Sequence, residues 1–157
     1  MSPSQADASR LPPSPACTSR LTLEAFIEKA SGVRYKAFGR DYDGWDCWGV
    51  VYCAYRDVLG IALPAYDRDY SSPGEWAEVE ALIAHGRDGC SWRAVDSPEA
   101  MDVVLLNVGG VTCHIGLVIG GGFMLHCLEK LTTVAERLNS ARWASRIAGF
   151  YRYRLSQ

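Results

Sequence analysis

Long apolar runs are missing from this 157-residue chain. No stretch approaches the roughly 20 apolar residues that a membrane-spanning helix needs, so membrane insertion is not expected. No basic run interleaved with aromatics is present either, and the net charge is −2, which argues against nucleic acid as a partner. The N-terminus carries no apolar h-region, so no secretory signal is expected. Ser14-Pro15-Ala16-Cys17 has the small residues of a lipoprotein cleavage site without the apolar run that should precede it. No Cys-x-x-Cys pair occurs among Cys17, Cys47, Cys53, Cys90, Cys113 and Cys127, so reduced thiols are expected, most of them buried as small apolar side chains. Histidine is scarce, with only His85, His114 and His126, and that scarcity narrows the search for a general base.

What is present suits one globular domain: 48% of residues are hydrophobic and 22% charged, enough for a core and too apolar for disorder. Residues 1–16 hold four prolines and four serines, so residues 1–20 read as an arm outside the core, disordered or ordered by wrapping a neighbouring subunit. The domain is expected over 21–157. A helix is predicted over Leu23–Ala30, with Thr22 as N-cap and Gly32 as its stop. A second runs from Cys47 to about Leu59 and ends at Gly60, with Cys47, Val51, Ala54 and Val58 on one face. Ser72-Pro73-Gly74-Glu75 reads as a capping box that starts a third, ending near His85-Gly86. Strands follow over Asp102–Asn107, Thr112–Ile119, Gly122–Leu128 and Ile147–Tyr153. Helices followed by an antiparallel meander make an α+β domain. Arg137, Arg142, Arg146, Arg152 and Arg154 make the last third basic, read as a solvated face, with an anionic partner as the alternative.

The chemistry centres on Cys47, where Gly44-Trp45-Asp46-Cys47 runs into a helix. Unpaired N–H groups and the positive helix end there should favour thiolate, the nucleophilic form. On the predicted hairpin, a turn centred on Gly120 pairs residues whose numbers sum to 240. His114 then faces His126 directly, and Cys113 and Cys127 point to the other side with Ile115, Leu117 and Leu125. Gly116 and Gly122 should leave room on the histidine face for the Cys47 helix. Cys47 as nucleophile, His114 as base and His126 as orienter complete a cysteine-hydrolase layout, with the Cys47 backbone N–H as oxyanion donor. A zinc site on Cys47, His114 and His126 is the competing chemistry. His85 is read as a surface residue.

Several motifs resemble the NlpC/P60 family of papain-like cysteine peptidases across residues 22–153. They are Tyr35, Asp46-Cys47-Trp48-Gly49, Asp102-Val103-Val104-Leu105, His114-Ile115-Gly116 and His126. The resemblance implies a papain-like fold, no metal or organic cofactor, and cleavage of peptidoglycan stem peptides, typically between D-γ-glutamate and meso-diaminopimelate. It also implies that Tyr35 assists the oxyanion site or substrate, that Asp46 binds the amine of L-alanine, and that position 48 shapes the substrate pocket, where Trp48 replaces the usual Ser. Met101 stands where the family usually carries Gly. Asp46-Cys47-Trp48-Gly49 with Leu59-Gly60-Ile61-Ala62-Leu63-Pro64 is most similar to the bacteriophage and prophage tail branch. That branch implies a place in the virion, or in the host cytoplasm before assembly, with the N-terminal arm docked to tail-tip or hub proteins. A structural tail-tip assembly component with an occluded or inactive peptidase site and an interbacterial toxin amidase are the alternatives.

Overall fold

Residues 19–66 and 91–155 are described by a computed structural model. The expected helix from Ser72 to Gly86 and nearly all of the Pro/Ser arm lie outside these residues. Thr22 begins α1, Leu23–Ala30, by accepting the Ala25 N–H on its hydroxyl at 3.1 Å. A two-stranded hairpin, β1 (Arg40–Asp41) and β2 (Gly44–Trp45), then leads into α2, Cys47–Ala54. Asp46 caps α2, its Oδ1 accepting the Gly49 N–H at 2.9 Å. The last turn, Tyr55–Leu59, widens to a π-helical turn and stops at Gly60, whose φ of +69° suits a residue without Cβ. Val51 and Ala54 are fully buried along the expected stripe, and Cys47 and Val58 pack at its edge.

Gly49 is required by close approach. A Cβ there would lie 2.5 Å from the Gly39 carbonyl oxygen and 2.5 Å from the Trp45 Cβ, neither of which can swing away. Gly49→Ala is therefore expected to destabilise the fold by about 1–3 kcal/mol. A thermal melt checks this, and an unchanged Tm would refute the packing.

Six strands form one antiparallel sheet in the order β3-β8-β4-β5-β6-β7. They are β3 (Trp92–Val95), β4 (Val103–Val108), β5 (Val111–Gly120), β6 (Phe123–Cys127), β7 (Thr133–Arg137) and β8 (Ile147–Tyr153). The helices and this sheet form the expected α+β architecture. Phe26, Val50, Val51 and Ala54 from the helices pack against Leu105, Ile115, Leu117, Leu125 and Cys127 on one face. The other face packs Val104, Leu106, Val118 and Met124 under Trp143 and Leu138. Asp102, buried before β4, is gripped by Arg152 of β8 through two 2.8 Å hydrogen bonds, so part of the basic C-terminal third is structural. Met101 takes up the left-handed conformation, φ +76°, that explains a glycine preference at that turn.

Two expectations about the hairpin are corrected. Leu117 pairs with Leu125 and Val118 with Met124, so the turn centres one residue later than Gly120 and His114 does not face His126 directly. Their separation stays even, so both rings remain on one face as diagonal neighbours. The body of the Cys47 helix also packs on the opposite face from these rings, with Cys47 in its first turn beside the Ile115 backbone. Room over Gly116 is taken by Met124 and Val104, each 3.1 Å from where a Cβ would sit.

Candidate active site

Cys47 is the first residue of α2 and half-buried, where α2 crosses β5 and β6. The paired β5–β6 ladder runs from Gly120–Phe123 only as far as Leu117–Leu125, so the strands part before reaching His114 and His126. The thiol sits against the Ile115 backbone on this unladdered stretch, one residue along the chain from His114. Among the described residues no hydrogen bond joins the sulfur to the His114 ring.

The histidines form a relay with a defined sense. His114 Nε2 lies 2.9 Å from His126 Nδ1, and His126 Nε2 lies 2.6 Å from Glu136 Oε2 on β7. Burial raises the Glu136 carboxyl pKa, but hydrogen bonds from His126 and Trp143 outweigh it and hold the group below its ordinary value. Glu136 is thus a carboxylate and can only accept. His126 Nε2 therefore carries the proton, and in neutral His126 the Nδ1 is an acceptor. His114 Nε2–H must then donate to it, leaving the His114 Nδ1 lone pair as a free acceptor. Burial keeps both rings neutral: it is the main cause lowering His126, and it pushes His114 down to about 3, with help from His126 and Arg142. Trp143 closes the relay. Its indole N–H donates to Glu136 Oε2 at 3.0 Å, and its ring stacks on His114 with centroids 6.1 Å apart.

The expected thiolate is not the resting state. Burial, followed by the Asp46 carboxylate, pushes the Cys47 thiol up to about 12, against weaker help from the Ile115 backbone and Arg40. Desolvation of a sulfur anion wins over the helix end. Iodoacetamide should therefore label Cys47 more slowly than free cysteine at pH 7, and faster with each step toward alkaline pH. Subtracting the Cys47→Ala background isolates the site, and a rate that stays high and flat below pH 6 would show a preformed ion pair instead.

The Tyr35 hydroxyl is buried without a hydrogen-bond partner among the described residues, and burial, Asp46 and Cys47 all raise its pKa, so it stays a proton donor near the sulfur. Asp46 is buried; beyond capping α2 it accepts the Phe38 N–H at 3.1 Å and pairs with Arg40 at 2.8 Å, so both oxygens are engaged. The Trp48 indole N–H donates to the Pro64 carbonyl at 2.9 Å and its ring leans on Tyr66. His85 lies outside the described residues. Among the described residues no three His, Cys, Asp or Glu side chains are grouped to hold a metal ion. Sequence reasoning missed Glu136 and Trp143; the nearest signal was that Glu136 is the last acid before the arginine-rich end.

A helix-borne cysteine packed on an antiparallel sheet that carries a buried histidine pair places the protein among papain-like cysteine hydrolases. The chain belongs to the NlpC/P60 family, whose model matches residues 32–152. Over 115 residues it is 26% identical to the murein DD-endopeptidase MepS/murein LD-carboxypeptidase of Escherichia coli K12, covering 73% of this chain and 53% of that protein. The chain thus spans about half the length of the curated relatives it matches. Among solved structures, the NlpC/P60 domain of the peptidoglycan hydrolase SagA is similar with a TM-score of 0.54 and 19% identity, covering 83% of this chain and 97% of that one. NlpC2 from Trichomonas vaginalis gives a TM-score of 0.60 at 16% identity, covering 83% of this chain and 45% of that one. These structural likenesses establish the fold. Family membership and the buried Cys and His residues together support a cysteine-peptidase type of hydrolase activity.

Proposed function

We propose that the protein hydrolyses stem peptides of peptidoglycan, at the bond between D-γ-glutamate and meso-diaminopimelate. The Glu136–His126–His114 relay carries this reading, because it leaves a neutral imidazole with an open Nδ1 next in the chain to the residue that touches the Cys47 sulfur. The E. coli relative is named a murein endopeptidase and the SagA domain comes from a peptidoglycan hydrolase, which supports the substrate class.

Attack begins as sulfur bonds to the γ-carbonyl carbon; because α2 and the rings lie on opposite faces of the sheet, the thiol proton reaches His114 Nδ1 through the gap where β5 and β6 part beside Ile115. The positive charge spreads from His114 to His126 and is met by the Glu136 carboxylate. The new oxyanion is held by the Cys47 backbone N–H, one of the first-turn donors with no intrahelical acceptor, and by the Tyr35 hydroxyl, which has no other partner among the described residues. His114 returns the proton to the departing amine, the C–N bond breaks and a thioester remains. Water, deprotonated by His114, then adds to the thioester, and the sulfur leaves and recovers its proton. No step calls on a metal or organic cofactor. Trp48 and Asp46 shape the approach from their places around α2.

A place in a phage tail, with residues 1–20 contacting tail-tip proteins, is a second reading. It rests on the Trp48-containing turn and the Leu59–Pro64 segment; the relatives named above do not bear on it. Digestion of purified muropeptides with wild type and Cys47→Ala, read by mass spectrometry, tests the hydrolase. Products ending in D-γ-glutamate with the wild type alone are expected; intact substrate with both proteins would refute the proposal.

A further inference from the structure

Beside the relay lies an open groove of about 750 Å³, walled by the Arg34–Tyr35 segment and by residues 128–134, which lead from β6 into β7. Its charge runs against that of the chain. Arg34, Lys130 and Arg142 face it with Glu136 as the lone acid among its lining residues, whereas the whole protein carries −2. Arg142 is partly committed, to Glu136 at 3.4 Å. Among the described residues Arg34 and Lys130 make no ion pair. Two of the exposed large apolar residues, Leu131 at 54% and Val134 at 42%, lie in the same groove. The walls are tied together: Tyr35 N–H donates to the Leu131 carbonyl at 2.9 Å, and Arg34 bridges Thr132. The site is thus held in place by backbone hydrogen bonds and needs no ordering when a ligand arrives. Tyr35, whose hydroxyl has no hydrogen-bond partner among the described residues and which lies close to Cys47, lines the groove, and so does Glu136, which joins it to the relay.

We propose that this groove holds the carboxylate-bearing arm of the peptide substrate, with Arg34 and Lys130 gripping the carboxylate and Leu131 and Val134 covering the methylenes beside it. The inference rests on the stem-peptide reading and deepens it. An aliphatic chain ending in a carboxylate matches both halves of the lining, since a guanidinium forks onto a carboxylate while the leucine and valine surfaces lose water to CH₂ groups. A neutral peptide would fill the apolar part and leave both cations unanswered.

The test separates binding from cleavage. Binding is measured by calorimetry on Cys47→Ala protein, with the tetrapeptide L-Ala–D-γ-Glu–meso-diaminopimelate–D-Ala and with the same peptide bearing amidated carboxyl groups. Amidation is expected to weaken binding about tenfold, the scale of one charge-assisted contact. In a protein that also carries Arg34→Gln and Lys130→Gln, two exposed positions that leave the core untouched, the two peptides should bind alike. Cleavage of both peptides is followed in parallel with Cys47 intact. Cleavage with no sensitivity to amidation, or equal sensitivity in the Arg34/Lys130 variant, overturns the groove and leaves the hydrolase standing. Charge-sensitive binding that the variant loses, without any cleavage, supports the groove and overturns the hydrolase. Failure to bind either peptide overturns both.

Discussion

His114→Ala should lower kcat/KM on a stem peptide by about 10⁴-fold, and Glu136→Gln by roughly 10–100-fold. The first value follows from loss of the group that takes the thiol proton, since removing one member of a catalytic unit forfeits most of what the unit does. The second is smaller because the amide oxygen of the introduced glutamine can still accept from His126 Nε2–H and from the Trp143 indole, which keeps the tautomers in place. What it cannot supply is the negative charge that answers the imidazolium, a loss on the scale seen when partners behind an active residue are removed. The loss should fall mainly on kcat, and the acid limb of the kcat profile should move, because protonated His126 loses its counter-charge. An altered KM with an unmoved pH profile would make Glu136 a purely structural contact. Steady-state kinetics on a defined peptide reads both results.

Stability should fall by about 3 kcal/mol between pH 7 and pH 4, with His114 the largest single cause. The sign follows from proton counting. His114 is buried, 2% exposed, and held down to about 3 in the folded state, against an ordinary value of 6.5. Between those values the unfolded chain binds the proton and the folded chain does not, so stability rises with pH up to about 6.5 and is then level. His126, also lowered, adds in the same direction. Glu136 does too: its lowered carboxyl pKa gives stability that is present above 4.5 and lost as pH drops. Urea unfolding at stepped pH measures the slope, and in His114→Ala the slope between pH 6.5 and pH 4 should shrink. A wild-type curve that is flat over this window would mean that the ring is not sealed from water.

Much of this fold could be read from local chemistry, and the failures share physical causes. Thr22 and the Gly32 that follows Ala30 mark α1 because a cap and a stop act within a few residues of the backbone they serve. Ile147–Tyr153 was legible from its β-branched and aromatic residues. The hairpin register slipped by one because Gly120, Gly121 and Gly122 all adopt positive φ, so each could serve as the turn centre. β7 escaped notice because Val134 and Ala135 are exposed and Thr133 alone is buried, so no alternation of apolar residues marks it. Glu136 was hidden with it. The ionisation state of Cys47 also lay beyond sequence: the helix start is local, but the burial that outweighs it comes from strands some 70 residues downstream. Candidate residues could be named where the motif is contiguous, around Cys47 and His114, and not where the hydrogen-bond chain continues into an edge strand and a loop, at Glu136 and Trp143.

Catalysis as proposed requires the Cys47 sulfur to become covalently bonded to substrate, with His114 as its proton partner. Intact-protein mass spectrometry after acid quench of wild type mixed with a stem peptide looks for that bond itself. An added mass equal to the acyl fragment is expected, located on the peptide that contains Cys47 and absent from Cys47→Ala. Cleavage that persists in Cys47→Ala, with no adduct at any time, would rule out the thioester and with it the role given to Cys47.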